Sequence, residues 1–170
     1  MIPVNRPVLD GKESEYLQEC ISSGWISSEG PFVERFERSF AERVDRKFAV
    51  AVSSGTAALD IAIEMLDLAP GDEVIMPAFT IISCVHQVVR RGAIPVLVDC
   101  EFDTWNMDTQ QIESKISLRT KAILVVHIYG LPTNMAKVIE ISSRYGLQII
   151  EDSAEAHGLR LDGKPCGSFG

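Results

Sequence analysis

A short segment rich in hydroxyl side chains stands between an apolar run and a helical pattern. Ser53–Leu59 reads SSGTAAL. A helix that starts here presents unpaired N–H groups and the positive end of its dipole, which together bind a phosphate group well. Gly55 allows close approach of the backbone, and the Thr56 hydroxyl can donate one more hydrogen bond. The alternative is a plain Ser or Thr helix cap, since the segment matches neither a Walker loop nor a G-x-G-x-x-G fingerprint.

Acidic residues gather at the end of a later apolar run. Ile149–Gly158 reads IIEDSAEAHG. Because open α/β sheets bind ligands at the carboxyl ends of their strands, an acid at this point can face a binding crevice. Asp152 could hold a cationic ring nitrogen in its protonated state, and the alternative is a solvated strand end or a helix cap. Glu151 and Glu155 follow Asp152 as candidates, since only a few of these acids can face one ligand.

The histidines and cysteines lack the spacing of a metal or redox site. No C-x-x-C pair occurs, and the histidines are widely separated, which is typical of structural roles. We therefore expect no metal site, and scattered thiols favour a reducing compartment. The residues are His86, His127 and His157, with Cys20, Cys84, Cys100 and Cys166.

Short apolar runs alternate with helix-period segments from about residue 48 onward. Nearly continuous Ile, Leu and Val is typical of strands buried on both faces of a parallel sheet. Repeated strand–helix–strand units therefore predict an α/β fold, with a mostly parallel sheet flanked by helices. The predicted strands are Phe48–Val52, Glu73–Pro77, Ile94–Cys100, Ala122–His127 and Leu147–Glu151.

Helical periodicity completes the pattern. Within the α/β region it predicts a helix over Ala57–Leu68, one that starts at Asp108 with Gln111 as capping-box partner, and one over Met135–Tyr145. The first 45 residues differ, because they carry two amphipathic helical patterns and no strand-like run. We therefore expect an amino-terminal helical segment at residues 1–45 and an α/β domain at residues 46–170. The two amino-terminal helices are predicted over Lys12–Ser22 and Phe32–Val44.

Composition narrows the classes of partner. The 170 residues carry 16 Lys and Arg against 24 Asp and Glu, a formal net charge of −8. An acidic chain without a basic cluster is a poor ligand for nucleic acid or anionic membranes. The sequence shows neither a signal-peptide pattern nor an apolar run of the ~20 residues that span a bilayer. We therefore expect a cytoplasmic protein.

Six blocks of the chain form a recognisable series: Ser54–Leu59, Pro70–Thr80, Gly92–Asp99, Thr120–Ile123, Val126–Gly130 and Glu151–Gly158. In combination they resemble the DegT/DnrJ/EryC1/StrS family of sugar aminotransferases, which have fold-type I and use pyridoxal 5'-phosphate. The blocks occur in the family's order over essentially the whole chain. The resemblance implies that the chain is part of the large, cofactor-binding domain of such an enzyme.

The resemblance also implies roles at the phosphate end of the cofactor and over its ring. Gly55, Thr56 and Ala57 match the positions that bind the phosphate. Ile81 stands where the family usually has an aromatic residue over one face of the ring, so packing there is expected to be apolar without stacking.

Three further positions are implied around the ring. Asp152 matches the acid that pairs with the pyridinium nitrogen, and Ala154 matches the small residue that lies near the ring. Glu155 matches the position beside the ring hydroxyl. Asp152 and Glu155 are therefore the candidate catalytic residues. A carboxylate that keeps the ring nitrogen protonated makes the cofactor a better electron sink.

The implied activity is reversible amino transfer from glutamate to a nucleotide-linked 4-keto-6-deoxy sugar, for polysaccharide or O-antigen synthesis, by a homodimer. The family's Schiff-base lysine belongs to a segment after Gly170, so we expect a large domain truncated before that lysine and inactive alone. Two alternatives stay open. One is a sugar dehydratase of the same family, which uses pyridoxamine phosphate and has histidine in place of the lysine. The other is a non-catalytic binding or assembly fragment.

Overall fold

The computed structural model describes residue 2 and residues 6–170. The described chain forms two compact units. One comprises the residues up to Glu42 together with Lys47–Ala51, and the other comprises Arg43–Arg46 together with Val52–Gly170. Residues 1 and 3–5 of the predicted amino-terminal segment lie outside the described residues.

Two helices form most of the first unit. Helix α1 spans Glu13–Ser23 and helix α2 spans Pro31–Arg43. Their aromatic residues are in contact, since the ring centroids of Tyr16 and Phe32 lie 5.4 Å apart. The Arg35 guanidinium lies 4.6 Å from the Tyr16 ring centroid, a cation–π contact. Both amphipathic helices predicted from the sequence are therefore confirmed.

A four-stranded parallel sheet forms the centre of the second unit, in the order β2-β1-β3-β4. The two central strands are almost entirely buried, which explains their continuous apolar sequence. The predicted parallel α/β architecture is confirmed, with strand ends shifted by one or two residues. The strands are β1 Glu73–Pro77, β2 Ile94–Val98, β3 Thr120–Val126 and β4 Gln148–Asp152.

Helices cover both faces of this sheet. Alternate strand residues point to opposite faces, so Val74 packs on one side and Ile75 on the other. Two helices, α3 and α4, bury apolar side chains against the Val74 face. The short helix α5 and the longer α6 do so against the Ile75 face. The helices are α3 Gly55–Glu64, α4 Ile82–Arg90, α5 Ile112–Lys115 and α6 Met135–Tyr145.

One predicted strand is wrong. Phe48–Val52 pairs with no other strand among the residues that the structure describes. A strand needs a partner for its backbone N–H and C=O groups, and an apolar sequence alone does not supply one. Phe48 and Val50 are therefore exposed, at 76% and 74%.

The predicted capping box at Asp108 is also corrected. The Asp108 carboxylate accepts hydrogen bonds from the Gln110 backbone N–H and the Gln111 side chain, at 3.1 and 2.8 Å. These bonds stabilise a turn, and the helix begins only at Ile112. An Asp side chain that bonds the backbone two residues ahead stabilises an Asx-turn instead of a helix start.

The last described segment contains a hairpin that was not predicted from the sequence. Strands β5 (Arg160–Leu161) and β6 (Lys164–Pro165) are antiparallel. Asp162 and Gly163 connect them, with φ values of 52° and 79°. Positive φ at both positions is typical of the Asp-Gly turn that joins two strands tightly. None of the helices in the described part of the chain has the length and apolar character needed to cross a membrane.

Candidate cofactor site

A cavity of about 280 Å³ lies at the carboxyl end of the parallel sheet. Its walls come from the loops that follow three strands, as expected for an open α/β sheet. Four of the residues singled out from the sequence line it: Ile81, Asp152, Ala154 and Glu155. The remaining lining residues are Phe79, Thr80, Val126, Ile128 and Tyr129.

Asp152 is the last residue of β4, and its carboxylate is bound from two sides. Oδ1 accepts a hydrogen bond from the Ala154 backbone N–H at 3.1 Å. Oδ2 lies 3.6 Å from the thiol sulfur of Cys84 on α4, and the Thr80 hydroxyl lies 3.4 Å from the same sulfur. Burial raises the pKa of the Cys84 thiol to about 11, so the thiol is protonated near neutral pH and can donate to Asp152.

Glu155 is bound by the backbone after β3. Its Oε2 accepts a hydrogen bond of 2.6 Å from the Tyr129 N–H. Tyr129 lies in the short 3₁₀ turn Ile128–Gly130 and has a left-handed backbone, with φ 52°. The turn therefore orients Glu155 beside the cavity.

The predicted phosphate-binding segment forms the amino terminus of α3. The Ser54 side chain caps this helix by accepting from the Ala57 N–H at 3.2 Å. Thr56 is exposed, and its hydroxyl oxygen lies 3.0 Å from that of Ser83 in the first turn of α4. A Cβ atom at Gly55 would meet no other atom within 4 Å, so the backbone there is open to a ligand. Thus Ser54 is the cap, and Thr56 is not.

Helix α4 links the two predicted ends of the site. Its consecutive residues Ser83 and Cys84 contact Thr56 and Asp152, respectively. Neither contact was predicted from the sequence. The position of Ser83 in a helix that starts just after a strand was a usable signal, whereas nothing in the sequence pairs Cys84 with an acid 68 positions away.

Glu151 belongs to a different network and does not line the cavity. The Thr133 N–H donates to Nδ1 of buried His127 at 3.0 Å, so Nε2 carries the proton and donates to Oε1 of Glu151 at 2.8 Å. The Glu151 carboxylate also accepts the backbone N–H groups of Gly167, Phe169 and Gly170. Burial alone would raise the pKa of Glu151, but these hydrogen bonds outweigh it and lower the pKa to about 2.

Cys166 lies next to this network, and its thiol, the His127 imidazole and the Glu151 carboxylate are all potential metal ligands. Polar atoms of His127, Glu151 and Cys166 lie within 4.8 Å of one another. Because the imidazole nitrogens and the carboxylate are already engaged in hydrogen bonds, the cluster acts as a structural centre that binds the last described residues to β4.

The donor set of the cavity fits pyridoxal phosphate. Asp152 supplies a carboxylate for a ring nitrogen, and Ile81, Val126 and Ile128 supply apolar walls for a ring. The open amino terminus of α3 suits a phosphate dianion. The individual roles of these residues stay predictions.

Comparison with known proteins also points to pyridoxal phosphate-dependent aminotransferases. The family model for the DegT/DnrJ/EryC1/StrS aminotransferases matches residues 7–170. The chain is 46% identical over 169 residues to GDP-perosamine synthase of Escherichia coli O157:H7, and 44% identical over 170 residues to that of Vibrio cholerae. These matches cover 99% and 100% of the chain, but each covers 46% of the relative. The chain therefore spans about half the length of the curated relatives it matches.

Solved structures agree. The chain matches DesV of S. venezuelae, solved with a ketimine intermediate, with a TM-score of 0.84 and 39% identity. It matches a GDP-4-keto-6-deoxymannose-3-dehydratase, solved with a trapped PLP-glutamate geminal diamine, with a TM-score of 0.92 and 29% identity. These matches cover 91% and 98% of this chain, and 43% and 45% of the solved chains. The chain belongs to the DegT/DnrJ/EryC1/StrS aminotransferase family.

Proposed function

We propose that this chain is the cofactor-binding part of a pyridoxal phosphate-dependent aminotransferase that acts on a nucleotide-linked 4-keto-6-deoxy sugar. One observation carries the proposal: Thr56 and Asp152, the predicted partners of the two ends of the cofactor, contact consecutive residues of α4, and Asp152 also lines a cavity of ring size. The names of the relatives at 44–46% identity support the sugar substrate. Glutamate is the expected amino donor, and polysaccharide or O-antigen synthesis is the expected context.

The proposed role of each residue follows from the chemistry of its side chain or backbone. When bound, pyridoxal phosphate supplies an electron sink for the transfer of an amino group. Asp152 holds the proton on the ring nitrogen, and Glu155 binds the ring hydroxyl. Thr56, with the backbone of Gly55 and Ala57, binds the phosphate.

Ile81 and Ala154 both line the cavity, and neither side chain carries a polar group. They supply apolar surface against which the cofactor ring can pack. The proposal also includes a homodimer and a cytoplasmic location. It further includes an amino-terminal helical segment at residues 1–45 and a partial large domain at residues 46–170.

A sugar dehydratase of the same family is the second candidate. The high structural similarity to the GDP-4-keto-6-deoxymannose-3-dehydratase supports it. The 29% identity to that enzyme is well below the 46% identity to a GDP-perosamine synthase, which favours amino transfer.

The test uses the intact enzyme with pyridoxal phosphate, glutamate and GDP-4-keto-6-deoxymannose. Amino transfer yields an amino sugar and one equivalent of 2-oxoglutarate, both measured by mass spectrometry. A keto sugar that has lost one oxygen atom and gained no nitrogen would instead identify the dehydratase. An intact protein that binds no cofactor and turns over neither substrate would contradict both.

A further inference from the structure

Three aromatic rings form an exposed cluster at the cavity, here called the aromatic rim: Phe79, Trp105 and Tyr129. The ring centroids of Phe79 and Trp105 lie 5.4 Å apart, and those of Phe79 and Tyr129 lie 6.1 Å apart. Phe79 and Tyr129 also line the cavity. Trp105 and Tyr129 are 53% and 69% exposed, so the rim offers open ring surface directly beside the proposed cofactor site.

The two loops that carry the rim have unusual backbones and a shared contact. Trp105 and Tyr129 both have left-handed backbones, with φ of 62° and 52°, which is strained for bulky side chains. The side chain of Asn106, which is 1% exposed, lies between the two loops. Its Oδ1 accepts the Ile128 N–H and its Nδ2 donates to the Leu131 carbonyl, each at 3.0 Å. The loop of Trp105 and the loop of Tyr129 are thereby joined through a buried amide.

The size of the cavity indicates what must lie on the rim. A volume of about 280 Å³ is near the lower end for ligand pockets, which suits one small ring compound. Once the cofactor ring occupies the cavity, a nucleotide-linked sugar cannot fit in the same space. Its reacting carbon must enter the cavity, so the sugar ring that carries this carbon is the first part of the substrate outside it.

The charges of the cavity agree with this order. Asp152 and Glu155 both present carboxylates there, and no Lys or Arg stands among the described residues that line the cavity. A diphosphate therefore meets no cationic partner from these residues, and the uncharged sugar ring is the part of the substrate that can lie closest. Aromatic rings bind such a ring through its apolar C–H face, by the same dispersion and area burial that stack other flat groups.

We propose that the aromatic rim binds the hexose ring of the nucleotide-linked sugar substrate, with Tyr129 and Trp105 as specificity-determining residues. The proposal rests on the proposed function of the cavity. It assigns the sugar, and not the nucleobase, to this surface.

The test compares three variants of the intact enzyme. Trp105→Ala removes one ring, and Tyr129→Asn removes another while keeping a residue that tolerates the left-handed backbone. Phe102→Ala is the matched control, because Phe102 lies on the loop of Trp105 and is 96% exposed. We expect KM for GDP-4-keto-6-deoxymannose to rise about 5- to 20-fold in the first two variants. We expect the inhibition constant of GDP in both variants, kcat of Trp105→Ala, and both KM and kcat of Phe102→Ala to change less than about threefold.

Fluorescence supplies a readout that does not depend on turnover. The difference between the emission of the unmodified enzyme and that of Trp105→Phe isolates Trp105. We expect GDP-4-keto-6-deoxymannose to change this difference signal, and GDP alone to leave it unchanged. A response to GDP, or a weaker inhibition by GDP in the two variants, would place the nucleobase on the rim and overturn the proposal.

Two further outcomes separate the failures. An unchanged KM in both variants of an active enzyme would show that the rim does not bind the sugar, whatever the oligomeric state of the variants. Absence of turnover and of cofactor binding in the unmodified enzyme would instead contradict the proposed function itself.

Discussion

The thiol of Cys84 lies 3.6 Å from Oδ2 of Asp152 and has a pKa raised to about 11 by burial, with the charge of Asp152 adding to the effect. The thiol therefore remains a donor at any pH at which the enzyme is expected to work. Since the Ala154 N–H binds the other carboxylate oxygen, Asp152 has little freedom to rotate. A residue of α4 thus positions the acid predicted to bind the ring nitrogen.

The first prediction concerns this contact. Cys84→Val removes the donor and adds about one methyl group of volume, so kcat of the intact enzyme should fall about 5-fold, the scale of losing a weak hydrogen bond to a charged group. Cys84→Ser restores a donor and should recover most of the loss. The pH profile of kcat should move in Cys84→Val and not in Cys20→Val, a substitution on α1. Equal behaviour of the Val and Ser variants would show that packing alone matters at this position.

The second prediction concerns Asp152 itself. Asp152→Asn should lower kcat roughly 100-fold or more while leaving cofactor affinity nearly unchanged, because a neutral amide cannot stabilise a protonated ring nitrogen. Steady-state kinetics and a fluorescence titration with pyridoxal phosphate measure the two effects. Asp60→Asn, a partly exposed acid on α3, is the control. Normal turnover of Asp152→Asn would rule out its assigned role.

The third prediction concerns the hydroxyl pair at the helix termini. Thr56→Ala and Ser83→Ala should each weaken pyridoxal phosphate binding by about 1–3 kcal/mol, the usual scale for a hydrogen bond to a charged group. The kcat at saturating cofactor should change little. Calorimetric titration of the intact apoenzyme measures the affinity, with Ser143→Ala on the exposed side of α6 as the control. An unchanged affinity in Thr56→Ala would move the phosphate away from α3.

The fourth prediction concerns stability and pH. The pKa of Glu151 falls from 4.5 to about 2 on folding, so the carboxylate contributes stability that is fully present above about pH 5 and is lost as pH falls through 2. This shift corresponds to about 3 kcal/mol. Glu151→Gln should therefore destabilise the intact protein strongly at pH 7, and by much less near pH 2.

Urea unfolding of the intact protein at several pH values measures this difference. Glu15→Gln, at an exposed position of α1, should show no such pH dependence. A destabilisation by Glu151→Gln that is equal at pH 2 and pH 7 would mean that the carboxylate charge does not stabilise the fold.

The parallel sheet and most of its elements could be predicted from the sequence alone. Buried parallel strands must be apolar on both faces, and the intervening helices carry their own periodicity, so both signals are local. The position of Asp152 followed from the same logic, because an acid directly after a buried strand must lie at the carboxyl end of the sheet. The strand prediction failed at Phe48–Val52, because strand formation depends on a pairing partner and not on composition alone.

Tertiary structure alone decided how the site is held together. Cys84 is 68 positions from Asp152, and Ser83 is 27 positions from Thr56, so no local pattern relates them. It also separated Glu151 from its neighbour Asp152. Adjacent residues of a strand point to opposite faces, which sends Asp152 to the cavity and Glu151 to the His127 network. Side-chain contacts between distant elements depend on how strands and helices stack, and that geometry is a property of the folded chain as a whole.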